Sequence, residues 1–325
     1  MSLPKAELHC HLEGAASPAL ALTKAGEHGE WIDDLITPDG ESYVWSDFST
    51  FLAAYDRVAG LFRTPQDYRD LAFSHFTALS GQDVIYAEVF LSPDYMGRLG
   101  SYPDYLDAVI AGYADAQAQT GIEGRFIPLA VRNLGPERAI AAARQTVLHA
   151  RPEVTGFGLA GDERVHVPAD FAPAFAIARD AGLSCTAHAG ELAGAESVRQ
   201  ALDDLPVSRI GHGVRAVEDA DLVRRLAEEE IVLEVCPGSN LALGLYPDLN
   251  AHPLKALMAA GVRVTLNSDD PAFFRTSLAG EYRACRDILR MSEADLAGFT
   301  QTALQAAFVD EPTRKRLLLD LPQLR

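Results

Sequence analysis

Short apolar runs rich in β-branched residues alternate with longer amphipathic stretches along almost the whole chain, a rhythm that few folds can accommodate. The runs lie at Ala6–His11, Val84–Phe90, Gly124–Ala130, Thr155–Ala160, Leu183–His188, Ser208–Gly213, Ile231–Val235 and Val262–Asn267. Helical patterns fill the intervals, among them Tyr105–Thr120, Pro136–Ala150, Ala169–Gly182, Ser197–Leu205, Glu218–Glu229 and Pro253–Gly261. Gly121, Gly182 and Gly261 follow or close three of them, where a left-handed C-cap suits glycine. Eight such βα units predict an α/β fold closed on itself, a (β/α)8 TIM barrel, rather than an open sheet. The exception is the stretch of about 12–83, which holds several helices and the aromatic-rich segment Trp45–Tyr55. An insertion after the first strand stands over the mouth of such a barrel, so this one is a candidate lid. The tail beyond Glu281 reads as further helix, and no repeat or linker interrupts residues 1–325, so a single domain is expected.

The formal net charge of -18 excludes one broad class of partner. A protein that neutralises phosphates needs a basic stripe, and none occurs here, so neither nucleic acid nor an anionic membrane is expected as partner. A small uncharged ligand remains compatible. No run of about 18 apolar residues is present to span a membrane, and the N-terminus lacks a signal-peptide pattern. Cys10, Cys185, Cys236 and Cys285 are far apart and form no CxxC pair. Free thiols and a cytoplasmic location follow as expectations.

The strand ends carry the chemistry. Polar residues at the C-terminal end of a barrel strand point into the mouth, whereas mid-strand residues pack the core. Four of the eight proposed strands end in titratable or metal-binding types: His9 and His11, His188, His212, and the pair Asp269 and Asp270. His9 and His11 are two apart, so on a strand both face one side and can share an ion, while Cys10 faces the other. Three imidazoles and a carboxylate would leave a coordination position open for water, as a catalytic site requires. Blander readings stand beside these. Asp269-Asp270-Pro271 also suits a turn with a helix N-cap, and Glu191 also suits the start of a solvated helix. His28, His75, His149, His166 and His252 have no evident partners and read as surface or structural residues.

Five ordered segments resemble the signatures of the adenosine deaminase family: Leu3 to Gly14 with His9-Cys10-His11, Leu159-Ala160-Gly161-Asp162-Glu163, His188-Ala189-Gly190-Glu191, Arg209-Ile210-Gly211-His212-Gly213 and Asn267-Ser268-Asp269-Asp270-Pro271. The resemblance implies one Zn²⁺ per chain on His9, His11, His188 and Asp269, where the metal lowers the pKa of a water to about 7. It implies that Glu191 protonates purine N1 and that His212 orients the water and helps to deprotonate it. Asp270 would bind N7, the backbone of Gly161 would meet N3, and Glu13 would take the place of an aspartate that grips a ribose hydroxyl. Phe48 and Phe51, with Leu52 and Tyr55, would cover the purine and sugar.

The similarity of Gly211-His212-Gly213 and of 159–163 to the adenosine-specific group implies hydrolytic deamination of adenosine, and of 2′-deoxyadenosine, to inosine and ammonia. Glu13, Phe90 and Gly158 depart from that group, and the run Asn267 to Phe274 is similar to the adenine-specific one. Adenine, or a modified or 5′-extended adenine nucleoside of the aminofutalosine type, is therefore the alternative substrate. Other reactions fit less well. A cytidine-deaminase site needs a Pro-Cys-x-x-Cys segment, and Cys236-Pro237-Gly238 lacks its second cysteine. A binuclear hydrolase would carry a lysine at the end of the fourth strand, where Leu159 to Gly161 stand. A catalytically silent purine-binding homologue would have lost the acid or a ligand, and both are present.

Overall fold

The computed structural model describes residues 3–96 and 100–321. Eight strands follow one another round a single parallel sheet: β1 (Lys5–Glu7), β2 (Val84–Leu91), β3 (Glu123–Val131), β4 (Gly156–Ala160), β5 (Ser184–Ala189), β6 (Arg209–His212), β7 (Val232–Val235) and β8 (Arg263–Leu266). Each pairs with its successor in parallel register, for example His188 with Gly211 across β5 and β6. Beyond the regular ladders, Cys10 bridges Asp269, with the amides of His11 and Asp269 donating to the carbonyls of Asp269 and His9. That seam joins the last strand to the first and completes a (β/α)8 TIM barrel.

The strand runs read from sequence match the observed ones within a few residues, except at the start. Ala6–His11 is expected as one strand, yet β1 ends at Glu7. The Asn267 side chain takes the Leu8 amide, and residues 10 and 11 bridge one residue each, Cys10 to Asp269 and His11 to Phe90. The chain stays extended while changing partner, so His9 and His11 still alternate with the buried Leu8, Cys10 and Leu12.

Between β1 and β2 run three longer helices, α1 (Pro18–His28), α2 (Phe48–Ala59) and α3 (Pro65–Ser80). Their starts are written locally. Ser17 caps α1, while Asp47 and Thr64 form capping boxes with Thr50 and Asp67 on α2 and α3. The α2 face bearing Phe51 packs on Phe273 and Phe274, just past β8. This contact holds the insertion at the end of the barrel where β5, β6 and β8 deliver His188, His212 and Asp269. Among the described residues, no helix is long and apolar enough to cross a membrane.

Candidate active site

His9, His11, His188 and Asp269 converge from the segment after β1, from β5 and from the turn after β8, and one ligand atom from each lies within 4.8 Å of every other. His11 Nε2 is 3.2 Å from His188 Nε2 and 3.4 Å from Asp269 Oδ1, and His9 Nε2 is 3.5 Å from the same oxygen. Backbone constraints bring them so close. Asp269 has φ of 62°, in the left-handed region that non-glycine residues rarely occupy. A Cβ at Gly211 would stand 2.8 Å from His9 Cε1, so only glycine lets β6 approach that ring.

The donor set fits a metal ion. His188 Nδ1 lies 2.9 Å from the Leu159 carbonyl, which can only accept, so its proton sits there and its Nε2 lone pair faces the cluster. His9 Nδ1 likewise donates to Glu234 Oε2 at 2.8 Å, while His9 Nε2, buried, faces Asp269 Oδ1. Burial pulls the His9 pKa down, but the bonds to Asp269 and Glu234 raise it to about 10. The extra proton is the one a metal ion would replace. Burial holds His11 at about 4 and His188 well below the usual range, so both rings are neutral. Burial alone would raise Asp269, yet the His9 bond and the charges of His212, His9 and His11 keep it ionised. Cys236 falls in a second such group with His9, His212 and Asp269, where burial pushes its thiol pKa far up.

Glu191 stands at the turn after β5, with Oε2 3.7 Å from His212 Nε2. Burial, then the charges of Asp269 and Glu163, push its pKa well above the carboxylate range, so it holds its proton at neutral pH. The turn itself is gripped by Glu163. That one carboxylate accepts from the amides of Gly190, Glu191, Leu192 and Ala193 at 2.6–2.9 Å and from Ser197 Oγ at 2.9 Å. Arg132 holds the preceding carbonyl, His188 O, at 2.8 Å. His212 closes β6 with φ of 59° and is lowered to about 3 by burial.

A cleft opens above the cluster, its floor polar and its walls formed by Phe48, Phe51, Tyr55, Phe90 and Phe274. Glu13, Gly161 and Asp270 line it as well. Glu13 is not free, since it accepts from Tyr68 at 3.1 Å and from Tyr55 at 3.4 Å. Burial raises it to about 7 against those bonds. Asp270 Oδ1 is buried with no partner among the described residues, and burial and the Asp269 charge push that carboxyl far up. A Cβ on Gly14 would fall 1.7 Å from Asp270 Oδ1, so this position admits only glycine. Ten of the eleven sequence-nominated site residues thus line one cleft, and the other, His9, belongs to the cluster with His11, His188 and Asp269. The family model for adenosine deaminase matches residues 4–323.

The chain belongs to the adenosine deaminase family. As a member of that family it is a hydrolytic deaminase of C–N bonds in cyclic amidines. Among curated members, an adenine deaminase of Sinorhizobium fredii is 53% identical over 320 residues, covering 98% of each chain. One of Rhizobium meliloti is 52% identical with the same coverage. Among solved structures, adenine deaminase from Arthrobacter aurescens superposes with a TM-score of 0.91 at 30% identity, covering 98% of this chain and 97% of that one. An amidohydrolase from Burkholderia ambifaria with bound Zn gives 0.88 at 29%, covering 98% and 89%.

These relatives overturn the expectation of adenosine as substrate, because full-length members at half identity are named adenine deaminases. The short segments read as adenosine-like, 159–163 and 211–213, instead serve the backbone around the site: Glu163 holds the 190–193 turn and Gly211 clears His9. Sequence reasoning also missed Glu234, Asn240 and His252. Glu234 had a signal, a lone carboxylate inside the apolar run Ile231–Cys236. His252, read as a surface or structural residue, is buried and reaches His212 through Asn240.

Proposed function

We propose that this chain hydrolyses adenine to hypoxanthine and ammonia, using one zinc ion held by His9, His11, His188 and Asp269. The observation that carries the substrate is Glu13. The carboxylate that would grip a ribose is buried, and each of its oxygens already accepts a tyrosine hydroxyl, so a ribose hydroxyl would have to share those oxygens with Tyr55 and Tyr68 or exchange with one of them. A bare purine asks for no such exchange, and the aromatic walls offer flat apolar contact for its faces. The curated relatives named above support the same choice, and the neighbour with bound Zn supports the metal.

Zinc at such a site supplies a water activated for attack at neutral pH. The protein does the rest. Glu191, protonated at rest, donates to purine N1 and makes C6 electrophilic. Asp270, neutral and with an unpartnered oxygen, engages N7, and the backbone at Gly161 faces N3. His212 orients the water. Phe48 and Phe51, on α2, act as a lid that keeps bulk water away. The test is release of hypoxanthine, inosine and 2′-deoxyinosine from adenine, adenosine and 2′-deoxyadenosine respectively, in parallel, with metal content measured on the same sample. Expected is a kcat/KM for adenine at least about 100-fold above that for either nucleoside, the scale at which a pocket rejects an added hydroxyl. Equal rates, or faster nucleoside turnover, would reject it.

A further inference from the structure

His212 has two ring nitrogens, and which one carries the proton decides whether it offers the attacking water a hydrogen or a lone pair. The surrounding hydrogen bonds answer this by elimination, starting from a donor that is unambiguous. The amide of Leu254, among the first of the helix Leu254–Ala259, has no partner within its helix and points at His252 Nδ1, 3.2 Å away. An amide N–H can only donate, so His252 Nδ1 is an acceptor and the proton of that ring is on Nε2. His252 Nε2 lies 3.1 Å from Asn240 Oδ1, which therefore accepts. This sets the orientation of the Asn240 amide, and its Nδ2 must donate to His212 Nδ1 at 3.3 Å. The members of the chain are buried, with Asn240 at 0%, His212 at 1% and His252 at 4% exposure, so solvent does not compete with it.

We infer that Asn240 and His252 are positioning residues that lock His212 as the neutral tautomer with its proton on Nε2. That nitrogen faces the space between Glu191 Oε2, 3.7 Å away, and Asp269 Oδ2, 3.9 Å away. A second proton on Nδ1 would abut the Asn240 amide hydrogens, so the relay also disfavours the imidazolium. If the deaminase reading above is right about where the water sits, His212 holds it by donating to its oxygen, and does not take its proton. The short helix Pro237–Ala242 at the end of β7 delivers Asn240 to this place, its amide bonded to the Cys236 carbonyl.

The tautomer can be read directly in the zinc-loaded protein labelled with ¹⁵N-histidine, because protonated and bare ring nitrogens give distinct signals. The His212 pair is identified as the one lost in His212→Gln. Expected is a proton on Nε2 and a bare Nδ1. In Asn240→Asp the new carboxylate can only accept, so the proton should move to Nδ1, with kcat for adenine falling about 10-fold or more at unchanged zinc content and little change in KM. His252→Gln keeps an N–H donor toward Asn240 and should retain both the Nε2 proton and most of the activity. A wild-type spectrum with the proton on Nδ1 would overturn the inference whether or not the variants fold, as would an unchanged tautomer in folded Asn240→Asp. An Nε2 proton without adenine turnover would reject the substrate assignment and leave this one standing.

Discussion

Glu191 and Asp269 are carboxyls a few ångströms from the same imidazole, His212, yet their surroundings drive them apart. Asp269 sits among His9, His11 and His212 and stays ionised, while Glu191 meets burial and two other carboxylates and keeps its proton. A pair separated in this way can bind a cation with one member and donate a proton with the other. Replacing Glu191 with glutamine keeps a similar shape and a hydrogen-bond donor but removes the transferable proton. Glu191→Gln is therefore expected to retain stoichiometric zinc while kcat falls by about 10² to 10⁴. Metal analysis beside steady-state kinetics checks this, and near-normal turnover in the variant would show that the acid lies elsewhere.

At the scale of elements, the geometry depends on how the ends of strands are tied. The turn after β5 is held by Glu163 from the turn after β4, and the carbonyl of His188 by Arg132 from the turn after β3. Three consecutive βα loops thus share one set of bonds. Four amides that converge on one carboxylate lose most of their partners together if it is removed. Since a bond to a charged acceptor contributes roughly 1.5–3 kcal/mol and an unsatisfied buried donor costs a similar amount, Glu163→Ala should lower stability by about 3 kcal/mol or more. The drop in denaturant midpoint at constant m-value measures it. Turnover should fall in Glu163→Gln as well, because one of its two head atoms cannot accept and the Glu191 turn loosens. Wild-type kcat in Glu163→Gln would show that the turn needs no such clamp.

Across the whole molecule, the barrel buries carboxyls that the mouth needs and others that it does not touch. Glu281 takes the Gly238 amide and the Thr276 hydroxyl, and burial raises it from 4.5 to about 7. Below pH 4.5 this group is protonated in both states and has no effect. Between 4.5 and 7 the unfolded chain ionises first, the folded state binds more protons, and stability falls as pH rises; above 7 the loss is constant. At about 1.36 kcal/mol per pH unit, the loss reaches about 3 kcal/mol. His75 and His252, lowered to about 4 by burial, act in the opposite sense between pH 4 and 6.5, so the informative quantity is a difference between proteins. Unfolding free energy of Glu281→Gln minus that of the parent should rise by about 3 kcal/mol from pH 4.5 to 8. A difference that does not change with pH would mean that Glu281 is ionised in the fold.

The alternation of short β runs with amphipathic stretches determined the barrel, because period and length are local properties that survive any packing. The same is true of the site's outline: residues at strand ends must face the mouth, so His9, His11, His188, His212 and Asp269 were legible as one group before any coordinate was known. Substrate choice was not, because whether Glu13 is free for a sugar depends on Tyr55 and Tyr68, brought to it by helices that start 35 and 52 residues further along the chain. Nor was the state of the acid and of His212. Those depend on desolvation and on hydrogen-bonding groups such as Glu163, Asn240 and His252, whose only link to the site is through space, and hydrogen-bond direction is decided by distances that the tertiary structure alone sets.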